Sequence, residues 1–266
     1  MAKKHASNAG FLIPDIYSQA PPPPPRELPF NIGTLLLPKL IRTVALGQHI
    51  KADHRAAAHL AFKKWIDSLN AGNLNALTET QVEGDFTGNL LTALGYRTQG
   101  DKEHGAFTMI PKGVIANAGI ADVVLGVFGF DDSGKVVGAP KVVVELKGAG
   151  IDLDKRVGGR TPVEQAWVYL NATETADWAL VSNFTEIRLY HRKGSNYVHR
   201  VRLIDLADAD RFAEFYAVFH ADALLGTGNV PHNTAWLLEQ TEQKQETVGE
   251  ELYTEYKDRR NERFAS

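Results

Sequence analysis

Apolar residues recur at helical spacing from position 53 to about 69, where Ala57, Leu60, Ala61, Trp65 and Leu69 form one face and Gly72 stands just beyond as a stop. A second helical pattern starts at Thr78, where Thr78-x-x-Gln81 has the form of a capping box. Val82, Phe86, Leu90 and Leu94 mark its apolar face, Gly95 occupies the position of a left-handed C-terminal cap, and Glu83 lies beside the stripe. The pattern then changes to that of strands. Segments 121–130 and 136–146 are rich in β-branched and apolar residues, and Asp-Asp-Ser-Gly at 131–134 turns the chain between them. A glycine-containing loop over 148–159 leads into another helix, with Thr161 as N-cap, Pro162 in the first turn and Glu164 completing a second capping box. Strands over 178–182 and 186–192 follow, joined by a short turn around Asn183, and from about Asp205 the chain becomes helical again.

The predicted order is helix, strand, strand, helix, strand, strand. This implies an α/β (α+β) fold with a central mixed β-sheet flanked by helices. The expected organisation is a proline-rich arm over 1–30, a helical segment over 31–75, a core over 76–204 and a C-terminal helical connector over 205–266. The arm carries five consecutive prolines from Pro21 to Pro25, which favour a stiff extended spacer. The end of the connector, 237–263, is dense in Glu, Gln, Lys and Arg, and it stops without a helix-ending signal, as though something followed. No solenoid-like period is present.

Composition narrows the chemistry more than the fold. With 44% hydrophobic and 23% charged residues, the 266-residue chain reads as globular. It has no cysteine, which excludes disulfides, thiolate zinc sites and a cysteine nucleophile. The net charge of −3 counts mildly against simple coating of nucleic acid, although a local basic patch would suffice to steer it. The apolar runs at 11–14 and 35–41 are too short to span a bilayer, and the N-terminus lacks a signal-peptide pattern, so a cytoplasmic location away from membranes is expected.

The candidate chemistry lies at the end of the strand Val142-Val143-Val144. There Glu145 and Lys147, two apart, project from one strand face while Leu146 packs the other way. Asp122 opens the strand proposed to pair with it, so two carboxylates can meet near one end of the sheet. Such a pair repels unless a cation joins it, and an oxygen-only donor set suits Mg²⁺. A neighbouring lysine can orient or help deprotonate a water, which points to phosphodiester hydrolysis. A Glu-x-Lys pair also arises as a plain surface ion pair worth under ~1 kcal/mol. The continuously apolar strand before it argues for a buried central strand, at whose end charges need a reason. The nine histidines form no ligand spacing, and Gly126-x-x-Gly129 lacks the helix and Gly-Lys-Ser/Thr of a nucleotide loop.

Across Glu83 to Tyr190, roughly 110 of 266 residues, the chain resembles the PD-(D/E)XK nuclease domain at the N-terminus of type IIG restriction-modification enzymes. The matching pieces, in order, are Glu83 with Leu94-Gly95-Tyr96, Ala121-Asp122, Val144-Glu145-Leu146-Lys147, Gln165-Ala166-x-x-Tyr169, and Ser182-Asn183-x-x-Glu186-x-Arg188-Leu189-Tyr190. Ala121 stands where the motif often has proline, and no methyltransferase signature is present. The resemblance implies Asp122 and Glu145 as metal ligands, Lys147 as catalytic lysine, Gln165 in support and Glu83 as a further acidic ligand. It also implies Mg²⁺, with Mn²⁺ substituting, and duplex DNA as substrate within a bacterial restriction or defence system. A methyltransferase or specificity domain supplied separately and a transient homodimer are the expected partners. Lys155, Arg156 and Arg160, in the loop after the motif, are candidates for the DNA backbone or else a solvated loop. Two other readings stay open: a DNA-binding or assembly module that keeps the nuclease fold without useful catalysis, and a small-molecule enzyme with an Asp-Glu-Lys pocket.

Overall fold

Both capping boxes close in the computed structural model, which describes residues 35–47, 52–100, 106–156, 158–228 and 230–265. Thr78 Oγ1 accepts from the Gln81 amide while the Gln81 side chain accepts from the Thr78 amide, and Thr161 and Glu164 do the same. Each box satisfies two amides that a helix start leaves without partners. The helices are α1 (Pro38–Ala45), α2 (Ala52–Asn70), α3 (Glu79–Asp85), α4 (Pro162–Ala172), α5 (Ala209–Phe219), α6 (Ala221–Leu225) and α7 (Thr234–Ala265). A π-helical stretch, Phe86–Leu91, continues α3 and turns Phe86, Leu90 and Leu91 into the core. The proline-rich arm expected over 1–30 lies outside the described residues.

The strands are β1 (Phe107–Ile115), β2 (Gly119–Phe130), β3 (Val136–Leu146), β4 (Trp178–Ser182), β5 (Glu186–His191) and β6 (Gly194–Arg202). They form one six-stranded sheet whose spatial order is also the chain order, β1 to β6. Every neighbouring pair is antiparallel except β3–β4, which is parallel and bridged by α4. This is the mixed sheet expected from the sequence, with two strands more than the pattern revealed. β1 hides behind Pro111 and Gly113, which interrupt its alternation, and β6 opens on Gly-Ser-Asn.

Helices cover both faces of the sheet. On one face Val123, Leu125, Val142, Val144, Leu180 and Leu189 pack with Phe62, Trp65, Phe86, Phe212, Phe215 and Phe219. On the other, Val124, Val143, Ala179, Val181 and Tyr190 meet Ala166, Tyr169 and Leu170 of α4. β3 therefore needs apolar residues on both sides, which is why its 142–144 run does not alternate. The stretch read as a connector divides in two. α5, α6 and the first turns of α7, with Leu237 and Leu238, belong to the core layer, whereas Val248, Leu252, Tyr253 and Tyr256 on the distal part of α7 are exposed. Among the described residues no helix is long and apolar enough to cross a membrane.

Candidate active site

β2 and β3 stop pairing at Val123–Val144, one residue short of Asp122 and Glu145, so the two carboxylates emerge where the ladder opens. The Leu146 amide, released from the ladder, donates to Asp122 Oδ2 at 2.7 Å. That bond fixes the Asp122 side chain across the seam and leaves Oδ1 to accept from Lys112. The parallel pairing with β4 persists one step further, through the Lys147 amide on the Ser182 carbonyl at 2.8 Å. Glu145 and Lys147 are thus held on a rigid strand end.

Glu145 is fully buried, at 0% exposure. Lys147 Nζ lies 2.5 Å from its Oε1, while Oε2 is buried with no hydrogen-bond partner. Burial raises the Glu145 carboxyl to about 7; Lys147 opposes the shift and the Asp122 charge adds to it. Burial acts to lower the Lys147 ammonium, but its hydrogen bond to Glu145 and the surrounding carboxylates outweigh this and hold it above the ordinary lysine value. Lys147 therefore stays charged at neutral pH.

Two further elements close the site. Lys112, from β1, places Nζ 2.7 Å from Glu83 Oε1 and 2.8 Å from Asp122 Oδ1, joining a helix to the sheet. Its backbone is left-handed, with φ 52°, uncommon for a non-glycine strand residue. Gly113 follows because a side chain there would strike Val124 Cγ2 at 2.4 Å. α3 contributes two carboxylates one turn apart: Glu83 meets Lys112, and Glu79 lies close enough to act on the Lys147 charge. The structure thus brings together Glu83, Asp122, Glu145 and Lys147, and adds Lys112 and Glu79, which the sequence pattern had not marked. A hairpin ahead of Asp122, turning at Ile115-Ala-Asn-Ala-Gly with Asn117 at φ 61°, is the signal that leads to Lys112.

The other expected residues are placed differently. Gln165, in the first turns of α4, donates to Tyr169 Oη at 2.9 Å, a bond within its own helix. The loop carrying Lys155, Arg156 and Arg160 is pinned to the sheet by the buried Leu153, by Asn183 Nδ2 donating to the Ile151 carbonyl at 2.9 Å, and by Asp154, which accepts from Arg188 at 2.6 and 2.9 Å. Lys155 and Arg156 are exposed and pair with Asp152 and Glu164, and Arg160 is exposed as well.

Among the described residues no three His, Asp or Glu side chains converge into a ready-made metal cage. The donors nevertheless fit a hard divalent cation. All are carboxylate oxygens, one buried oxygen lacks a partner, and a cation (the Lys112 ammonium) already bridges two of them. No family model matches the chain, and neither a curated protein nor a solved structure matches it.

Proposed function

We propose that the chain is a Mg²⁺-dependent endonuclease domain of the PD-(D/E)XK class that hydrolyses phosphodiester bonds in duplex DNA, with Mn²⁺ able to substitute. The observation that carries the reading is the meeting of Asp122 with Glu145 and Lys147 where β2 and β3 part, with Glu83 reaching in from α3. In this reading Asp122, Glu145 and Glu83 would hold the ion, which would supply polarisation of the phosphate and of the attacking water when bound. A water oxygen bonds to phosphorus as one ester P–O bond breaks; the attacking water gives a proton to solvent and the departing ester oxygen takes one up, leaving a phosphate monoester and a hydroxyl end. Lys147, kept charged by Glu145, orients that water and offsets the negative charge growing on the phosphate oxygens. In the metal-free protein burial raises the Glu145 carboxyl to about 7, and a cation held there would draw it back down, so the ionised carboxylate and the ion favour one another. Lys155, Arg156 and Arg160 contact the DNA backbone from the pinned loop, and Gln165 supports the site through α4. The biological setting is a restriction or defence system, with sequence recognition and methylation supplied by a partner domain or subunit, and paired cuts by transient dimerisation.

A second reading, a DNA-binding or assembly module with little catalysis, draws on one observation: Lys112 already neutralises two of the acidic groups. One experiment separates the two. Supercoiled plasmid is incubated with the full chain in Mg²⁺ or Mn²⁺, beside Lys147→Ala and an EDTA control. Nicking or linearisation by wild type alone supports the nuclease. No cutting in either metal, with DNA binding that survives EDTA, supports the module instead.

A further inference from the structure

Lys112 is poorly explained as a stabilising ion pair. Its side chain is 54% exposed, and exposed pairs are worth little. Yet the backbone accepts a left-handed residue within a strand, flanked by a proline and by a glycine that has no room for a side chain, and this aims the ammonium at Glu83 and Asp122. Its seat has three further properties. The two carboxylates come from separate elements, and a cation between them offsets their repulsion where α3 meets the sheet end. Next to this seat lies Glu145, fully buried, whose Oε2 has no hydrogen-bond partner and whose charge feels both Asp122 and Lys112. The half-exposed Lys112 side chain can also swing into solvent without unpacking any core residue.

From this we propose that Lys112 is a resident placeholder for the divalent cation. Its ammonium neutralises Glu83 and Asp122 in the metal-free protein, and the cation enters only by displacing it. The idea rests on the metal-dependent reading given above and adds a mode of regulation to it. The acidic groups stay paired until metal arrives, and the freed ammonium then stands at the site's mouth, where a DNA phosphate can take it. Metal and phosphate therefore favour the same open arrangement, and each promotes the other. The apparent metal affinity is reduced by the fraction of molecules in which the lysine is seated. If it is seated nine times in ten, removing it tightens metal binding about tenfold.

The test uses the full chain and Mn²⁺ alone, titrated calorimetrically into wild type, Lys112→Met and Lys112→Gln, with Asp122→Asn as a control for the site. Loss of one positive charge would by itself tighten binding, so a second readout on the unmutated protein is decisive. Lysines are acetylated with an amine-reactive ester, with and without saturating Mn²⁺, and the modification at position 112 is followed by mass spectrometry. The expected result is tighter binding by both Lys112 variants, together with a several-fold rise in Lys112 acetylation in wild type when Mn²⁺ is added. Unchanged Lys112 acetylation under Mn²⁺ that demonstrably binds, or affinities within twofold of wild type in both variants, would overturn the placeholder and leave the nuclease reading standing. No Mn²⁺ binding by wild type or by either variant would remove the metal reading itself, and the placeholder with it.

Discussion

Two charged clusters sit on neighbouring parts of the sheet and are built to opposite rules. In the first, around β5 and β6, Arg188 is 5% exposed; it donates to Asp154 through both terminal nitrogens and to Glu186, which also accepts from Arg200. Among the buried, described side-chain atoms of this cluster, Arg188 Nε alone lacks an acceptor. Burial would lower the Arg188 pKa, but the hydrogen bonds to Asp154, Glu186 and Tyr190 more than reverse this. In the second, around Asp122, carboxylates and lysines meet with fewer bonds than charges, one buried carboxylate oxygen has no partner, and the Glu145 carboxyl is driven upward. A planar guanidinium can satisfy two carboxylates at fixed angles and lock them, whereas a lysine offers a compact, mobile charge. The first cluster fastens a loop to the sheet. The second holds charge in a state another cation can relieve, which is what a site needs and a strut does not.

That contrast can be broken, starting where the largest effect is expected. Asp122→Asn and Lys147→Met should each reduce plasmid cleavage in Mg²⁺ by on the order of 10³-fold, because these side chains serve the reaction. Cleavage at the wild-type rate in either variant would place the chemistry elsewhere. Arg188→Met should instead lower the stability measured in urea, by about 3 kcal/mol, since it leaves the buried Glu186 with Arg200 alone and frees the loop at Asp154. A loss below about 1 kcal/mol would mean that the cluster is a surface ornament.

Next in size is Glu145→Gln in metal-free protein. The folded carboxyl sits at about 7 against an ordinary 4.5, so the native state binds more protons than the unfolded chain between those values. The contribution of Glu145 is therefore fully present below pH 4.5 and is lost as pH rises through about 7. Gln at 145 should flatten that part of the stability curve and, at pH 8, leave the variant more stable by up to about 2 kcal/mol. Parallel curves for the two proteins would show that the carboxylate is well solvated. Smallest of all, Lys155→Ala and Arg156→Ala should change stability by less than about 0.5 kcal/mol and lower the salt dependence of duplex binding by about one ion each. An unchanged salt slope would remove that loop from the DNA path.

The sequence exposed those parts of the molecule where one residue type has one physical job. Thr78 with Gln81 and Thr161 with Glu164 mark helix starts because few other pairs close both bonds, and 142–144 reads as a central strand because it is apolar on both faces. Asp122, Glu145 and Lys147 were legible because two of them share a strand face and the third lies across a recognisable hairpin. Lys112 was not, for its position depends on a backbone twist at Pro-Lys-Gly that composition reads as a break rather than as a strand. Glu79 and the Arg188 network were hidden for another reason: their partners lie on other elements, and only the packing of α3 and of the 148–160 loop brings them near.

The strand order carries a consequence for how the molecule is made. Because each strand lies beside the one that precedes it in the chain, a growing polypeptide always has the next strand's partner already in hand, and only the step from β3 to β4 must wait for a helix to form. Short-range pairings of this kind cost little loop entropy and form quickly. Lys112, Asp122, Glu145 and Lys147 all belong to the first three strands and their ends, so the strands that carry them leave the ribosome first, while the helix that covers their core face, α5, follows only after β6.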